Sequence, residues 1–308
     1  MNIPSNAVPG SPLDSQAIAP AAMSATRPMY WSVRRELWEN RSIYIAPLVV
    51  AAVLLFGFLV STIGLPERRR AVLRLGPAQQ RAAIEVPYDM AAMMLIVTAF
   101  IVGVFYCLDA LHGERHDRSI LFWKSLPVSD LTTVLSKASI PLVVLPLLVF
   151  GIIVATQVDM LQLSNAVLLM NGVSATTPSQ LPLFQQSLIL LYGLIALSLW
   201  HAPIYGWLLL VSGWARRATF LWAVLPFLVV SVLERIAFNS SHFASLLRYR
   251  FMGHLAEAFA FSANGRLSSL TQLTPGNFLS TPGLWVGLGF AAAFLAAAVR
   301  LRRDRGPI

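Results

Sequence analysis

His112–Lys137 reads HGERHDRSILFWKSLPVSDLTTVLSK, a charged segment set between two apolar runs of membrane-spanning length. Glu114, Arg115, Asp117 and Arg118 mark the emergence of the chain into water, and Gly113 is expected to release the preceding helix. Ile120, Leu121, Phe122 and Trp123 then form an apolar patch far too short to cross a bilayer, which takes about 20 residues. Pro127 disfavours helix at Leu126, and Ser129 is placed to cap a helix through Lys137 into the next apolar run. The segment is therefore a short apolar-tipped element held beside a membrane between two charged boundaries.

The rest of the chain fits that frame. Apolar residues make up 56% of the 308 and charged residues 12%, about half the charge of an average soluble domain. Such a chain cannot cover a water-facing surface with polar groups, so the class is all-α integral membrane protein. The net charge is +9, but its arginines are scattered in the gaps between apolar runs, with no basic stripe interleaved with aromatics. Anionic lipid headgroups of the bilayer account for that charge; nucleic acid is not expected. Cys107 is the single cysteine, which excludes an internal disulfide and a cysteine-based zinc site. Residues 1–28, rich in Pro, Ala and Ser, read as a disordered cytoplasmic tail, and 29–308 as one transmembrane domain.

Six spans are expected, at about 43–65, 90–111, 138–158, 186–211, 218–238 and 279–299. Pro47, Pro141, Pro146, Pro203 and Pro226 fall inside them and read as kinks, those at Pro141 and Pro146 foremost. With both termini in the cytoplasm, the inner segments carry 14 Lys and Arg and the outer segments 9 in more residues. Lys and Arg bias thus places N- and C-termini inside, in a cell (inner or plasma) membrane. Arg68, Arg69, Arg70, Arg74 and Arg81 dissent, all in the first outer loop.

Two further segments read as interfacial. In Met29–Arg41, Tyr30, Val33 and Leu37 share a helical face widened by Trp31 and Trp38, opposite Arg34, Arg35, Glu36 and Glu39. In Phe243–Phe261, Leu247, Phe251, Leu255 and Phe259 recur every fourth residue; this helix either dips into the outer leaflet or caps the bundle.

Motifs for chemistry are sparse. No phosphate-cradling G-x-x-x-x-G-K-[ST] and no G-x-S-x-G elbow occurs. His112 and His116 flank Glu114, but the spacing is not that of H-E-x-x-H, and solvated side chains at a membrane surface are the simpler reading. Asp109, His201 and Glu234–Arg235 are the ionisable groups in or near spans. Asp109 is expected to reach water or Arg115. His201 lies mid-helix, either lining a polar pathway or bonded to a neighbouring carbonyl. So few buried charges argue against ion-driven transport and for an external energy source. Gly283–Gly287 is a G-x-x-x-G match that serves packing within one subunit as readily as dimerisation.

The residues alone leave two roles for Phe122 and Trp123, docking in a partner's groove or dipping into headgroups. The run Gly113–Lys137, with its Gly-Glu turn, apolar stretch, SLPVS and following lysine, resembles the signature of ABC-2-type transporter permeases. The similarity extends from about Tyr30 through six spans to Pro275, Phe278, Leu279, Trp285 and the basic tail after Ala298. The resemblance implies a homodimer or heterodimer of permeases bound to separate ABC ATPase subunits. It makes 113–126 a cytoplasmic coupling helix between the second and third spans. Gly113, Glu114, Arg118, Ile120, Leu121, Phe122, Leu126 and Pro127 are then the candidate ATPase contacts. ATP and magnesium would belong to the partner, leaving this chain no cofactor and no catalytic residue. Export is the expected function; the alternative is a non-transporting scaffold that uses an ABC ATPase for envelope assembly or remodelling.

Overall fold

The structure, a computed structural model, describes residues 26–117, 128–177, 180–261, 267 and 269–304, all helical apart from short connections and one isolated bridge between Phe259 and Leu273. Among the described residues, six helical stretches are long and apolar enough to cross a membrane: Ser42–Val72, Pro77–His116, Asp130–Met170, Leu183–Trp214, Thr219–Phe238 and Pro282–Asp304. The chain is built as a multi-pass membrane protein. Large apolar side chains such as Val53, Met93, Phe105 and Leu233 face outward, the reverse of a soluble surface, as helices surrounded by hydrocarbon require.

The helices, in chain order, are α1 (Thr26–Glu39), α2 (Ser42–Ser61), α3 (Leu65–Val72), α4 (Pro77–Ala110), α5 (His112–His116), α6 (Asp130–Ser139), α7 (Leu145–Met170), α8 (Leu183–Trp214), α9 (Thr219–Phe238), α10 (His242–Ala258), α11 (Pro275–Ser280) and α12 (Pro282–Asp304). Each expected span overlaps one of the six membrane-length stretches, but only 186–211 lies within a single helix, and the last departs furthest. That run is interrupted at Thr281, whose extended backbone separates α11 from α12 ahead of Pro282. Residues 26–28, placed in the tail from sequence, already belong to α1. Residues 1–25 of that tail lie outside the described residues, as do Arg118, Ile120, Leu121, Phe122, Leu126 and Pro127.

Pro141, expected to kink the third span, lies in a local departure from the α-helix. It opens a π-helical turn, Ile140–Val144, between α6 and α7, a form in which the ladder bond that proline cannot donate is bypassed. Gly113 does not release the second span: α4 ends at Ala110, Leu111 is the break, and Gly113 sits inside α5. Ser129 does cap α6, its hydroxyl accepting from Thr132 N at 3.1 Å.

The main core joins α2, α4, α7 and α8 through Ile43, Ala51, Leu95, Cys107, Leu145, Val149, Ile153 and Leu209. α8 also packs closely on α12, where a Cβ on Gly206 would come within 3.3 Å of Ala291 O. α9 stands at the margin, with Ala223 its one buried residue, and ends on Asn239 in the left-handed conformation (φ 48°), whose N–H bonds Arg235 O. Glu234 pairs with neither Arg235 nor any other described cation. Its carboxylate instead accepts from Ser240 Oγ, His242 N and Phe243 N at 2.7–2.8 Å, tying the turn between α9 and α10.

α10 packs on the bundle along one face, with Gly253, His254 and Ala258 buried, while Leu246, Met252 and Leu255 are exposed. Phe243 stacks on Phe227 of α9, and Phe259 reaches Gly193 of α8. The Gly283–Gly287 pair serves this contact. A Cβ on Gly283 would meet the Tyr249 hydroxyl at 3.0 Å, and the place of a Cβ on Gly287 is already taken by the Arg250 guanidinium. Gly287→Ala must therefore move the Arg250 guanidinium, which as the end of a flexible side chain can swing aside, so a destabilisation of about 1 kcal/mol, the low end for overpacking, is expected. Gly289→Ala, which meets nothing within 4 Å, is the control. Equal unfolding midpoints for the two variants in a denaturant titration in detergent would remove Gly287 from this contact.

Candidate functional site: a buried ion cluster at the neck of residues 112–137

The ends of the charged segment meet in one cluster at the α5 end of the bundle. Glu36, Glu114, Lys137 and Arg302 are each at least nine-tenths buried. They come from α1, α5, α6 and α12, elements far apart in sequence. Lys137 Nζ donates to Glu36 Oε1 at 2.8 Å and lies 3.1 Å from Glu114 Oε1. Arg302 Nη1 donates to Glu114 Oε2, and its Nε donates to Asp130 Oδ1 at 2.9 Å. Arg35 Nη2 reaches both Glu36 Oε1 at 2.9 Å and Glu114 Oε1 at 3.1 Å. From α4, the Tyr106 hydroxyl donates to Glu36 Oε2 at 2.9 Å.

The charges balance: two acids and two bases in the interior, with Asp130 and Arg35 adding one of each sign at the edge. Buried ions are tolerated only when paired at hydrogen-bonding distance with their remaining lone pairs filled, and these contacts meet that condition. Glu39, half-exposed and 3.4 Å from Arg35 Nε, marks the rim. Partial burial holds its carboxyl above the usual range despite the opposing pull of Arg35.

A second set of bonds ties the same neck to α8. At the Leu111 break, Leu111 N and His112 N both donate to Ser212 Oγ, at 3.0 and 2.9 Å. A fully buried serine from a different helix thus supplies the acceptor for N–H groups freed at a helix start. Asp109 was expected to reach water or Arg115, and its exposure gives the first; Arg115 donates to Gly213 O at 2.8 Å. Asp109 stays exposed, its carboxylate 3.3 Å from where a Cβ on Gly113 would lie.

Among the described site residues named from sequence, Glu114 is buried and held by Arg35, Lys137 and Arg302. Tyr30, Trp31 and Trp38 are more than half exposed on α1, while Leu37 packs against the main core. His112 and His116 stack at 6.2 Å, and no group of three or more metal-capable side chains occurs among the described residues. His201 Nδ1 donates to Leu197 O at 2.9 Å, which is the carbonyl-bonded alternative.

The cluster itself went unread in the sequence. From sequence, Glu36 falls on the polar face of α1 and Arg302 in the basic tail after Ala298. The available signal was Lys137 and Tyr106 sitting at the edges of apolar runs, where each needs a polar partner. Comparison with protein-family models, with curated proteins and with solved structures finds no match.

Proposed function

We propose that this chain is the membrane-spanning permease subunit of an ATP-binding cassette exporter, driven by a separate ATPase that grips residues 113–127 from the cytoplasm. The observation that carries the reading is the anchoring of both ends of that segment in a single buried ion cluster. Asp117 and Val128 bracket the span that would meet the partner, and each lies within a few residues of the cluster. A push on the segment is delivered to the second span through Leu111, the third through Lys137 and Asp130, the fourth through Ser212, and the sixth through Arg302. A rigid polar joint between a short solvent-side element and four spans is what conversion of an external stroke into helix movement needs.

In this reading α1 lies at the inner membrane surface, with Trp31 and Trp38 at headgroup level. Arg34 lies 5.2 and 5.0 Å from their ring centroids. Glu36 makes α1 part of the joint. Both termini are cytoplasmic, and a second permease copy or a paralogue completes the pathway. ATP and magnesium stay on the ATPase.

The test is purification of the tagged chain from its native membrane in mild detergent. A soluble ATPase subunit is expected to accompany it, with ATP turnover in the complex and none in the isolated chain. Movement of cargo by the chain alone in ATP-free vesicles would overturn the proposal, as would a preparation consistently without such a subunit.

A further inference from the structure

The half of the bundle away from the ion cluster holds a second polar group, in which donors lack acceptors. Trp200 and His201, adjacent on α8, face Arg250 and His254, one turn apart on α10. The Arg250 guanidinium lies 5.0 Å from the centre of the Trp200 ring. Its Nη1 donates to Gly283 O at 3.0 Å, while its buried Nη2 has no partner. Trp200 Nε1, on a fully buried side chain, has none either, nor has His254 Nδ1 on a side chain more than nine-tenths buried. The rings of His201 and His254 stand 5.3 Å apart, walled by Phe100 and Phe251.

No described carboxylate lies within ion-pair distance of Arg250. Glu257, the acid on the same helix, is engaged by the Tyr249 hydroxyl and Thr281 Oγ1, both at 3.1 Å. Burial first, then the neighbouring His201, pushes His254 down to about 4, so it is neutral at neutral pH. Arg250 is thus the fixed positive charge of the seam. A half-buried guanidinium without a counter-charge is costly to desolvate, and an indole N–H can only donate. What the seam lacks is an anionic acceptor. Its depth suits one carried on a chain: Trp200 stands 14 residues, or about 21 Å, from the α5-side end of α8 at Trp214. Gly283 lies at the start of the sixth span.

We propose that the seam between α8 and α10, at Trp200, Arg250 and His254, binds the anionic headgroup of an amphipathic molecule, its phosphate or carboxylate oxygens accepting from Arg250 Nη2 and Trp200 Nε1. The anion neutralises Arg250, and the phenylalanines beside it offer apolar surface to the attached chain. Nothing in this depends on an ATPase, so failure of the export reading leaves it standing, and the reverse.

The test uses the full chain, stripped of lipid in an uncharged maltoside detergent and titrated with short-chain phosphatidylglycerol or inorganic phosphate, bound probe being counted by native mass spectrometry. One saturable phosphatidylglycerol per chain is expected. Arg250→Gln and Trp200→Phe should each weaken it about tenfold or more, the loss of one hydrogen bond to a charged group. Trp200→Phe keeps an aromatic ring near the guanidinium but removes the pyrrole half of the indole together with its N–H from a fully buried site, so its affinity is compared with the parent's under conditions where the unfolding midpoint shows both proteins folded. Arg248→Gln, exposed on the same helix, should bind as the parent does. Displacement by millimolar inorganic phosphate supports the seam and assigns the anion to a free source; resistance to it supports the seam and assigns a lipid headgroup. Parent-like affinity in both Arg250→Gln and Trp200→Phe, or no saturable binding of either probe, overturns the proposal.

Discussion

Glu114→Ala is expected to cost about 3–5 kcal/mol of folding stability, the loss typical when one partner of a buried ion cluster is removed and the others are stranded. The parent carboxylate is shared among Lys137, Arg302 and Arg35. Without it, Lys137 retains Glu36 and Arg302 retains Asp130, so the interior carries one unbalanced positive charge in a setting nearly closed to water. Glu39→Ala is the matched control. It removes an acid of the same cluster whose side chain is 50% exposed, where an ion pair is worth at most about 1 kcal/mol. Unfolding midpoints in a denaturant titration in detergent separate the two.

The double variant Glu114→Gln/Lys137→Gln sharpens the test, because it restores charge balance while keeping hydrogen-bonding groups in place. It should be more stable than the sum of its single changes by about 0.5–3 kcal/mol, the range for residues in one network. Additive losses, or a Glu114→Ala protein no weaker than Glu39→Ala, would mean that the cluster does not hold the neck together.

The spans were legible because hydropathy answers to the hydrocarbon layer, and the helix ends were not, for the same reason. α4 begins at Pro77, well before the apolar run at Met90, since Gln79, Gln80 and Arg81 continue the helix where its side chains meet water. Its 34 residues are about 51 Å long, against about 30 Å of hydrocarbon. The Ser129 cap was readable because capping is local, settled within three residues. The ion cluster was not, because Glu36 and Arg302 lie near opposite ends of the chain and only the packing of α12 beside α5 and α6 brings them together. Arg250 likewise carries no local signal, being one charge between the apolar residues of Phe243–Phe261. Its importance arises from Gly287, whose missing side chain leaves the place its guanidinium fills. A glycine spacing suggested close approach, but not of which helix; the bulk on the facing α10 decides that it is contact within one chain.

Phe122→Asp is the change expected to act most strongly on function while sparing the fold. Phe122 belongs to the stretch between Asp117 and Val128, and the neighbours on either side are held by bonds that do not involve it: Arg115 to Gly213 O, Asp130 to Arg302, Ser129 to Thr132. The substitution should leave unfolding and membrane insertion as in the parent. Under the export reading it sets an unpaired carboxylate into an apolar docking site, where the charge must be desolvated without compensation. An aromatic anchor at the centre of such a contact is worth about 2 kcal/mol or more, so ATPase affinity should fall about thirtyfold or more. Cargo-dependent ATP turnover should fall with it. Ser119→Asp, a charge of the same sign in the same stretch but outside the apolar patch, should change turnover far less. If the reconstituted Phe122→Asp complex hydrolyses ATP in response to cargo as the parent does, the ATPase does not grip this segment. The ion cluster would then be a static brace for the bundle rather than a joint that transmits force.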